Sequence, residues 1–568
     1  MRRTTLALLS LLAAPLLTIA GPPNPIADAE RLDRSGKHDE AIAAMKKYLG
    51  KNPDDGHAWH SLGFALHSVH RSDEALDAWQ HSLDLGFAPN ASLYDMCCVY
   101  AVTGHKKEAL EYLEKALNAR FADQETLEQD TDLDPLRDDP RFAALTGLTG
   151  KLAIPVATTR DEGWRWDLEF YGRRIAQMHY NLSAHVTPEE FRDALSSLER
   201  DVPKLTDAQI RLRLRRLTAR IGDGHTTVAL QPVGATSVPR LPVHMQWFPE
   251  GLFVIGAKDH PELVGARVLK FGPLESVAAL DAVRPYASVD NAMGHRRWGP
   301  LLLAVPTILQ SIGASTSDSA AELTIQDSQG KTSTITLSPV EIPVKRSGSD
   351  LPGFTYVHQG LANPPGYLSG DREGVRVAYQ PKHKLVYFYF GSIQDAPDTK
   401  LSETFERVFS TIKEHGAEHL VIDMRANGGG NTGLIRPLFE GLIREERINR
   451  PGHLWVIIGR ETFSAAQNTV NLIEKFTSAT FVGEPTGSRP QFTGESTFFV
   501  LPHSKTKVYA SSRYWQILDS TDDRTWVAPQ IAAPMTFADY AAGRDPAMDA
   551  IGRAIEANAS KPGEPARE

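Results

Sequence analysis

A chain of 568 residues exceeds one ordinary domain, so about two to four are expected. Its formal charge of −9, without basic blocks, argues against nucleic acid as a main partner. The two cysteines, Cys97 and Cys98, are adjacent in an apolar helical context, so they read as small core residues and no disulfide framework is expected. Residues 1–20 open with Arg2 and Arg3, continue as an apolar run broken by Pro15, and end in small residues around Ala20. That order predicts a cleaved secretory signal rather than a membrane span, hence a periplasmic or secreted chain with no span after cleavage.

Residues 24–122 repeat. Glu40, Glu74 and Glu108 recur every 34 residues, each followed by alanine (Ala41, Ala75, Ala109), and the middle copy adds Trp59, Leu62 and Gly63. Paired helical patterns at this period resemble tetratricopeptide repeats. The resemblance implies an all-α solenoid whose helix pairs bury their apolar faces by stacking, with a possible role in docking a protein partner. His57, His60, His67 and His70 fall here, but no acidic or cysteine ligand completes a closed set in sequence, so no metal site is expected.

Residues 123–154 read as a connector and 155–235 as mostly helical, with Thr187 and Pro188 placed as a helix start. From 236 to 345 the pattern turns to short strands and resembles a PDZ-like module, a peptide-binding fold. Residues 346–376, rich in Gly, Pro and Ser, read as a linker. Residues 377–556 alternate apolar strand candidates with helical patterns, which predicts β-α-β units around a largely parallel sheet. Chemistry in such sheets collects at the carboxyl ends of the strands. A disordered tail is expected over 557–568.

Two loops lie at such ends. The first, IDMRANGGGNTG (422–433), satisfies G-x-G-x-x-G through Gly428, Gly430 and Gly433, with Glu461 placed where a dinucleotide fold puts its ribose acid. Five residues, Asp423 to Asn427, separate the strand end from the first glycine, too many for a backbone that must turn at once under a pyrophosphate. Exposed glycine N–H groups suit a developing oxyanion instead. The second loop carries Ser464 in ETFSAAQ. Ser464 and Gln467 fit a capping box, while the preceding strand and the small Ala465 and Ala466 fit a nucleophile over a helix start.

LVIDMRANGGG, ETFSAAQNTVNLI and FVGEPTGSRPQ, in this order, resemble the tail-specific (C-terminal processing) serine protease family. RIGDGHTTV upstream and GRDPAMDAI downstream extend the likeness over roughly 160–555. The resemblance implies an α/β core of the ClpP/crotonase-like type, Ser464 as nucleophile, the N–H groups of Gly429 and Ala465 as oxyanion donors, and no cofactor or metal. Ser–Lys members carry a lysine where this chain has Arg489, and an arginine cannot serve as general base. Lys475 lies within a helix at the wrong position. The tricorn-like Ser–His branch matches better: its base falls on His225, and its orienting carboxylate on Asp523, with Asp522 as the alternative. Asp423 and Arg425 are expected to brace the glycine loop as an ion pair. A rival expectation is a catalytically degenerate scaffold that holds peptides without cutting them.

Overall fold

The computed structural model describes residues 25–121, 124–147, 157–343, 350–397 and 399–559. The segment read as a secretory signal, 1–20, lies outside them, as does the tail beyond Ala559. Among the described residues no helix is long and apolar enough to cross a membrane. The chain divides into two compact units, one of helices up to Phe121 together with residues 129–146, the other running from Ala153 onward.

In the first unit six helices follow one another: Pro25–Arg34, His38–Leu49, Gly56–Ser68, Ser72–Asp84, Pro89–Val102 and Lys106–Asn118. The repeated alanines Ala41, Ala75 and Ala109 are all fully buried, because they stand where neighbouring helices approach most closely. Gly63 faces the indole of Trp79, and a Cβ there would lie 2.5 Å from its Nε1. Cys97 and Cys98 are free and buried. The segment read as a connector contributes a short 3₁₀ turn, Thr131–Leu136, capped by Asp130, and it buries Leu133, Leu136 and Phe142 in this unit.

The second unit opens with three helices, Arg160–Met178, Pro188–Asp201 and Asp207–Ala219. Thr159, Thr187 and Thr206 each form a capping box, so three orphan-donor sets are satisfied by local sequence. The strand Thr227–Pro232 then pairs with Thr506–Trp515, which in turn pairs with Phe492–Val500. A β-rich module follows, an antiparallel sheet centred on Gly251–Lys258 and Arg267–Phe271, and its core includes Val254, Val268, Leu323 and Leu303. The expected linker departs from its reading: Phe354–Tyr356 is a strand that pairs antiparallel with 256–258 and closes one edge of this sheet. Phe354 and Tyr356 are buried by that pairing, which three residues of sequence cannot announce.

The site stands on a six-stranded sheet in the order Val375–Gln380, Leu385–Phe390, His419–Asp423, Leu454–Ile458, Thr480–Gly483, Ile531–Ala532. The first pair is antiparallel and the rest are parallel. Both faces are covered, which explains the continuous apolar strands. Val386, Phe388, Leu420, Ile422 and Val456 face the helices Leu401–His415, Arg436–Arg444 and Ala465–Phe476. Tyr387, Val421, Trp455 and Ile457 face the closing helix Pro546–Ala559 and Phe253 and Ile255 of the β-rich module. The closing helix runs to Ala559, three residues into the stretch expected to be disordered.

Candidate active site

Adjacent parallel strands His419–Asp423 and Leu454–Ile458 end side by side, so the loops that follow them meet. Thr462 Oγ1 donates to the Met424 carbonyl at 2.9 Å, and the Phe463 N–H donates to the Asn427 carbonyl at 3.1 Å. Below the glycine loop, Asp423 is fully buried and accepts from Tyr387 Oη at 2.7 Å and from Arg425. Arg425 also makes a bidentate pair with Asp545, at 2.9 Å on both arms. Burial alone would lower this guanidinium, but Asp423 and Asp545 hold it well above its usual value. The expected bracing pair is therefore a trio that ties the loop to the closing helix.

Ser464 begins the helix Ala465–Phe476 with φ 59° and ψ −127°, and its side chain makes no capping hydrogen bond. A non-glycine residue at positive φ is strained by about 1–3 kcal/mol and persists only where its surroundings impose it. The capping box is also absent on its other side, since the Ser464 N–H turns to Ser488 Oγ and Gln467 Oε1 accepts from no described residue. This is the strained strand–turn–helix geometry that presents a serine Oγ in hydrolases. Ser464 is half-buried, and Ala465 and Ala466 behind it are buried. The Ser464 N–H donates to Ser488 Oγ at 3.2 Å.

Gly429, at φ 108°, brings its backbone against the serine, and a Cβ there would sit 2.7 Å from Ser464 Cβ. Its N–H is not a free donor, however: it is bonded to Asn427 Oδ1 at 2.9 Å. Asn427 is fixed in turn by Nδ2 donating to the Phe390 carbonyl at 2.8 Å. This corrects the expected role of Gly429 as an oxyanion donor, because a local side-chain acceptor has taken the group first. The Ala465 N–H, at the helix start, has no such partner among the described residues.

His225 lies beside this loop. Its ring stacks on Phe463 at 4.4 Å between centroids and on Phe492 at 5.5 Å. Both ring nitrogens are buried and neither meets Ser464 Oγ; among the described residues the one polar neighbour that acts on the ring by hydrogen bonding is the Thr493 backbone, and only weakly. Burial pushes the imidazole down to about 4, against the pull of Asp223. Two carboxylates pin the loop that carries it. Asp223 Oδ1 accepts the N–H groups of His225 and Thr226 and the Ser511 hydroxyl, and its Oδ2 meets His179 Nε2 at 2.8 Å. Asp290 Oδ1 accepts the Gly224 N–H at 2.6 Å, and burial, then the charge of Asp223, push its carboxyl up to about 7.

Asp523 is exposed, and neither ring nitrogen of His225 hydrogen-bonds to it. Asp522 is committed to Arg524, which also pairs with Glu474. That surface cluster holds the loop in place of the ring, which corrects the expectation that either aspartate orients His225. Arg489 does not point a charge at the serine either: its Nε donates to the Asp290 carbonyl at 3.0 Å. Lys475 donates to the Ile517 carbonyl. Sequence reasoning missed Asp290, Ser488, Phe463 and Phe492. Asp223 stood in the quoted Asp-x-His segment, whereas Asp290 has no motif around it. Among the described residues one group has metal-ligand spacing, Cys98 with Asp130 and Asp132. Its carboxylates are already occupied by Tyr94, the Asp132 N–H and His67.

A parallel sheet with a strained serine at a strand end, covered by a closing helix and an antiparallel module, defines a fold shared with solved structures. The structure of mature CPAF complexed with lactacystin aligns at TM-score 0.50 and 13% identity, over 70% of this chain and 98% of that one. The photosystem II D1 C-terminal processing protease aligns at TM-score 0.32 and 14% identity, over 70% and 97%. The tricorn protease aligns at 0.35 and 13%, over 70% and 37%. The fold assignment rests on the first of these. No protein-family profile matches the chain and no curated protein does.

Proposed function

We propose that this chain is an exported serine peptidase in which Ser464 attacks a peptide carbonyl and His225 takes its proton. The observation that carries this reading is the backbone of Ser464, strained at positive φ at a strand end with its hydroxyl uncommitted to a cap. The fold shared with mature CPAF and the motifs resembling tail-specific proteases support it. The Ala465 N–H serves as oxyanion donor, and Gly429 serves by close backbone approach, leaving room where any side chain would collide with the serine. His225, neutral at pH 7 because burial depresses it, is in the protonation state a base needs. To reach Ser464 Oγ its ring turns out of the Phe463–Phe492 stack, and substrate seated over Phe463 supplies the occasion. Asp223 and Asp290 hold the loop that makes this turn. The first unit, as tetratricopeptide-like repeats, docks a protein segment, and the β-rich module, as a PDZ-like domain, holds extended peptide.

A fluorophosphonate probe tests the scheme. Labelling is expected at Ser464 and is expected to fall at least tenfold in His225→Ala, since the base of a serine–histidine pair typically contributes more than that. Labelling that persists in both Ser464→Ala and His225→Ala would leave the degenerate scaffold as the reading, which the absence of a hydrogen bond from the His225 ring to Ser464 Oγ favours.

A further inference from the structure

Neither Asp522 nor Asp523 orients His225, so the proposed pair lacks the carboxylate that its motifs suggest. Another acid lies between the two segments. Asp290 stands two residues before the helix Ala292–Leu302 and is only 6% exposed. Its neighbour Asn291 caps that helix and donates from Nδ2 to the carbonyls of Thr486, at 3.1 Å, and Thr525, at 2.7 Å. A Cβ on Gly294, in the first turn, would lie 3.3 Å from the Gly487 carbonyl. The helix start is thus docked on the turn 486–488, which follows the strand Thr480–Gly483.

From this anchored place the Asp290 carboxyl faces two ways. Oδ1 accepts the N–H of Gly224, the residue before His225, at 2.6 Å. Only glycine allows that approach, since a Cβ at 224 would lie 2.7 Å from the Phe463 ring and 3.0 Å from Asp290 Oδ1. On its other side the carboxyl takes a hydrogen bond from the fully buried Ser488. Ser488 Oγ in turn accepts the Ser464 N–H at 3.2 Å. Three successive hydrogen bonds therefore run from the loop of the proposed base, through one carboxyl, to the backbone of the proposed nucleophile. Asp290 Oδ2 is buried and has no further partner within bonding distance among the described residues.

We propose that Asp290 is the positioning residue of the pair, holding Ser464 through Ser488 and His225 through Gly224 at the same time. The proposal rests on the peptidase reading and supplies the third group which that reading lacks. Two charged side chains act on the carboxyl: Asp223 from the His225 loop, itself bonded to His179, and Arg489 from the turn beyond Ser488. Burial first, then Asp223, push it up to about 7 against the pull of Arg489. Below that value the acid carries its proton on Oδ2, because Oδ1 is engaged as an acceptor. Above it Oδ2 becomes an anionic acceptor, and the Ser488 hydroxyl is the side-chain donor at hand. A charge-assisted bond there tightens the line to Ser464.

Fluorophosphonate labelling of the full chain, followed against pH, reads this link. The unsubstituted chain should label faster as pH rises through about 7, a step separate from the lower limb that His225 sets near 4. Asp290→Asn should remove that step and slow labelling roughly tenfold at pH 8, the usual worth of one charge-assisted bond, without lowering the melting temperature. Slower labelling in a chain no less stable separates positioning from packing. Ser488→Ala should slow labelling by a similar factor. The double variant should be no more than about twofold slower than the slower single one, because both changes cut the same line. Asp290→Ala also removes the Gly224 acceptor, so peptide-resolved hydrogen exchange should quicken in 222–226 and 462–466 together. An unchanged rate in Asp290→Asn, a step near pH 7 that survives it, fully multiplicative effects in the double variant, or exchange that quickens in one segment alone overturns the proposal. If Asp290→Asn does not fold, Ser488→Ala and its pH profile decide. Absence of labelling in the unsubstituted chain removes the hydrolytic reading, and hydrogen exchange then decides by itself whether Asp290 joins the two segments.

Discussion

In the helical unit each helix packs on the next along the chain, so Trp79 lies against Gly63 and Ser82 Oγ donates to the Gly56 carbonyl. In the second unit the contacts that shape the site join distant segments. Thr226 meets Ser511, Gly224 meets Asp290, and Arg425 meets Asp545. Local packing makes a region whose architecture repeats in its sequence and tolerates change unit by unit. Non-local packing makes a site in which a residue's role depends on chain hundreds of positions away.

The largest expected effect separates chemistry from folding. Ser464→Ala should lower peptide hydrolysis at least about a thousandfold while leaving the melting profile in place; turnover assays beside calorimetry check both. Gly429→Ala places a methyl on Ser464 Cβ at positive φ, and a displacement of that order is expected to cost about a hundredfold in turnover. Trp79→Ala tests the opposite region. It should destabilise the helical unit by about 3–5 kcal/mol, visible as an earlier thermal transition, while fluorophosphonate labelling of Ser464 keeps its rate. A matching loss of labelling would break the contrast between the two units.

Acid should sharpen it further. With the His225 imidazole depressed to about 4 in the resting chain, the acid limb of kcat/KM, which reports the free enzyme, is expected near pH 4 rather than near the ordinary imidazole value. The unfolded chain binds this proton first, so stability is full at neutral pH and falls as pH drops from about 6.5 through 4. Asp290 works with the opposite sign. Its carboxyl is raised to about 7, so ionising it in place costs stability as pH rises from about 4 to 7. Asp290→Asn, which keeps an acceptor for the Gly224 N–H, should therefore raise the melting temperature slightly at pH 8 and leave it unchanged at pH 4.

What the sequence disclosed follows the same divide. Glu40, Glu74 and Glu108 reveal the helical array because period and contact are both local. The turn that holds Ser464 is legible because strand, turn and helix follow one another directly in the chain. The Gly429 assignment failed on one side chain, since a motif counts glycines and does not show Asn427 turning back to take the N–H. Asp523 failed because spacing along the chain says nothing of Arg524 reaching across to Glu474, 50 positions earlier. Asp290 carries no local pattern at all, and only the folded chain brings it to the loop of His225.

The pairing of Thr227–Pro232 with Thr506–Trp515 has a consequence for how the protein is made. A ribosome must deliver nearly the whole chain before the segment following His225 finds its β-sheet neighbour. Until then the imidazole has no fixed place beside the serine, and a nascent or truncated polypeptide carries both groups without the means to join them. On the peptidase reading proposed above, completion of synthesis is thereby a condition for reactivity.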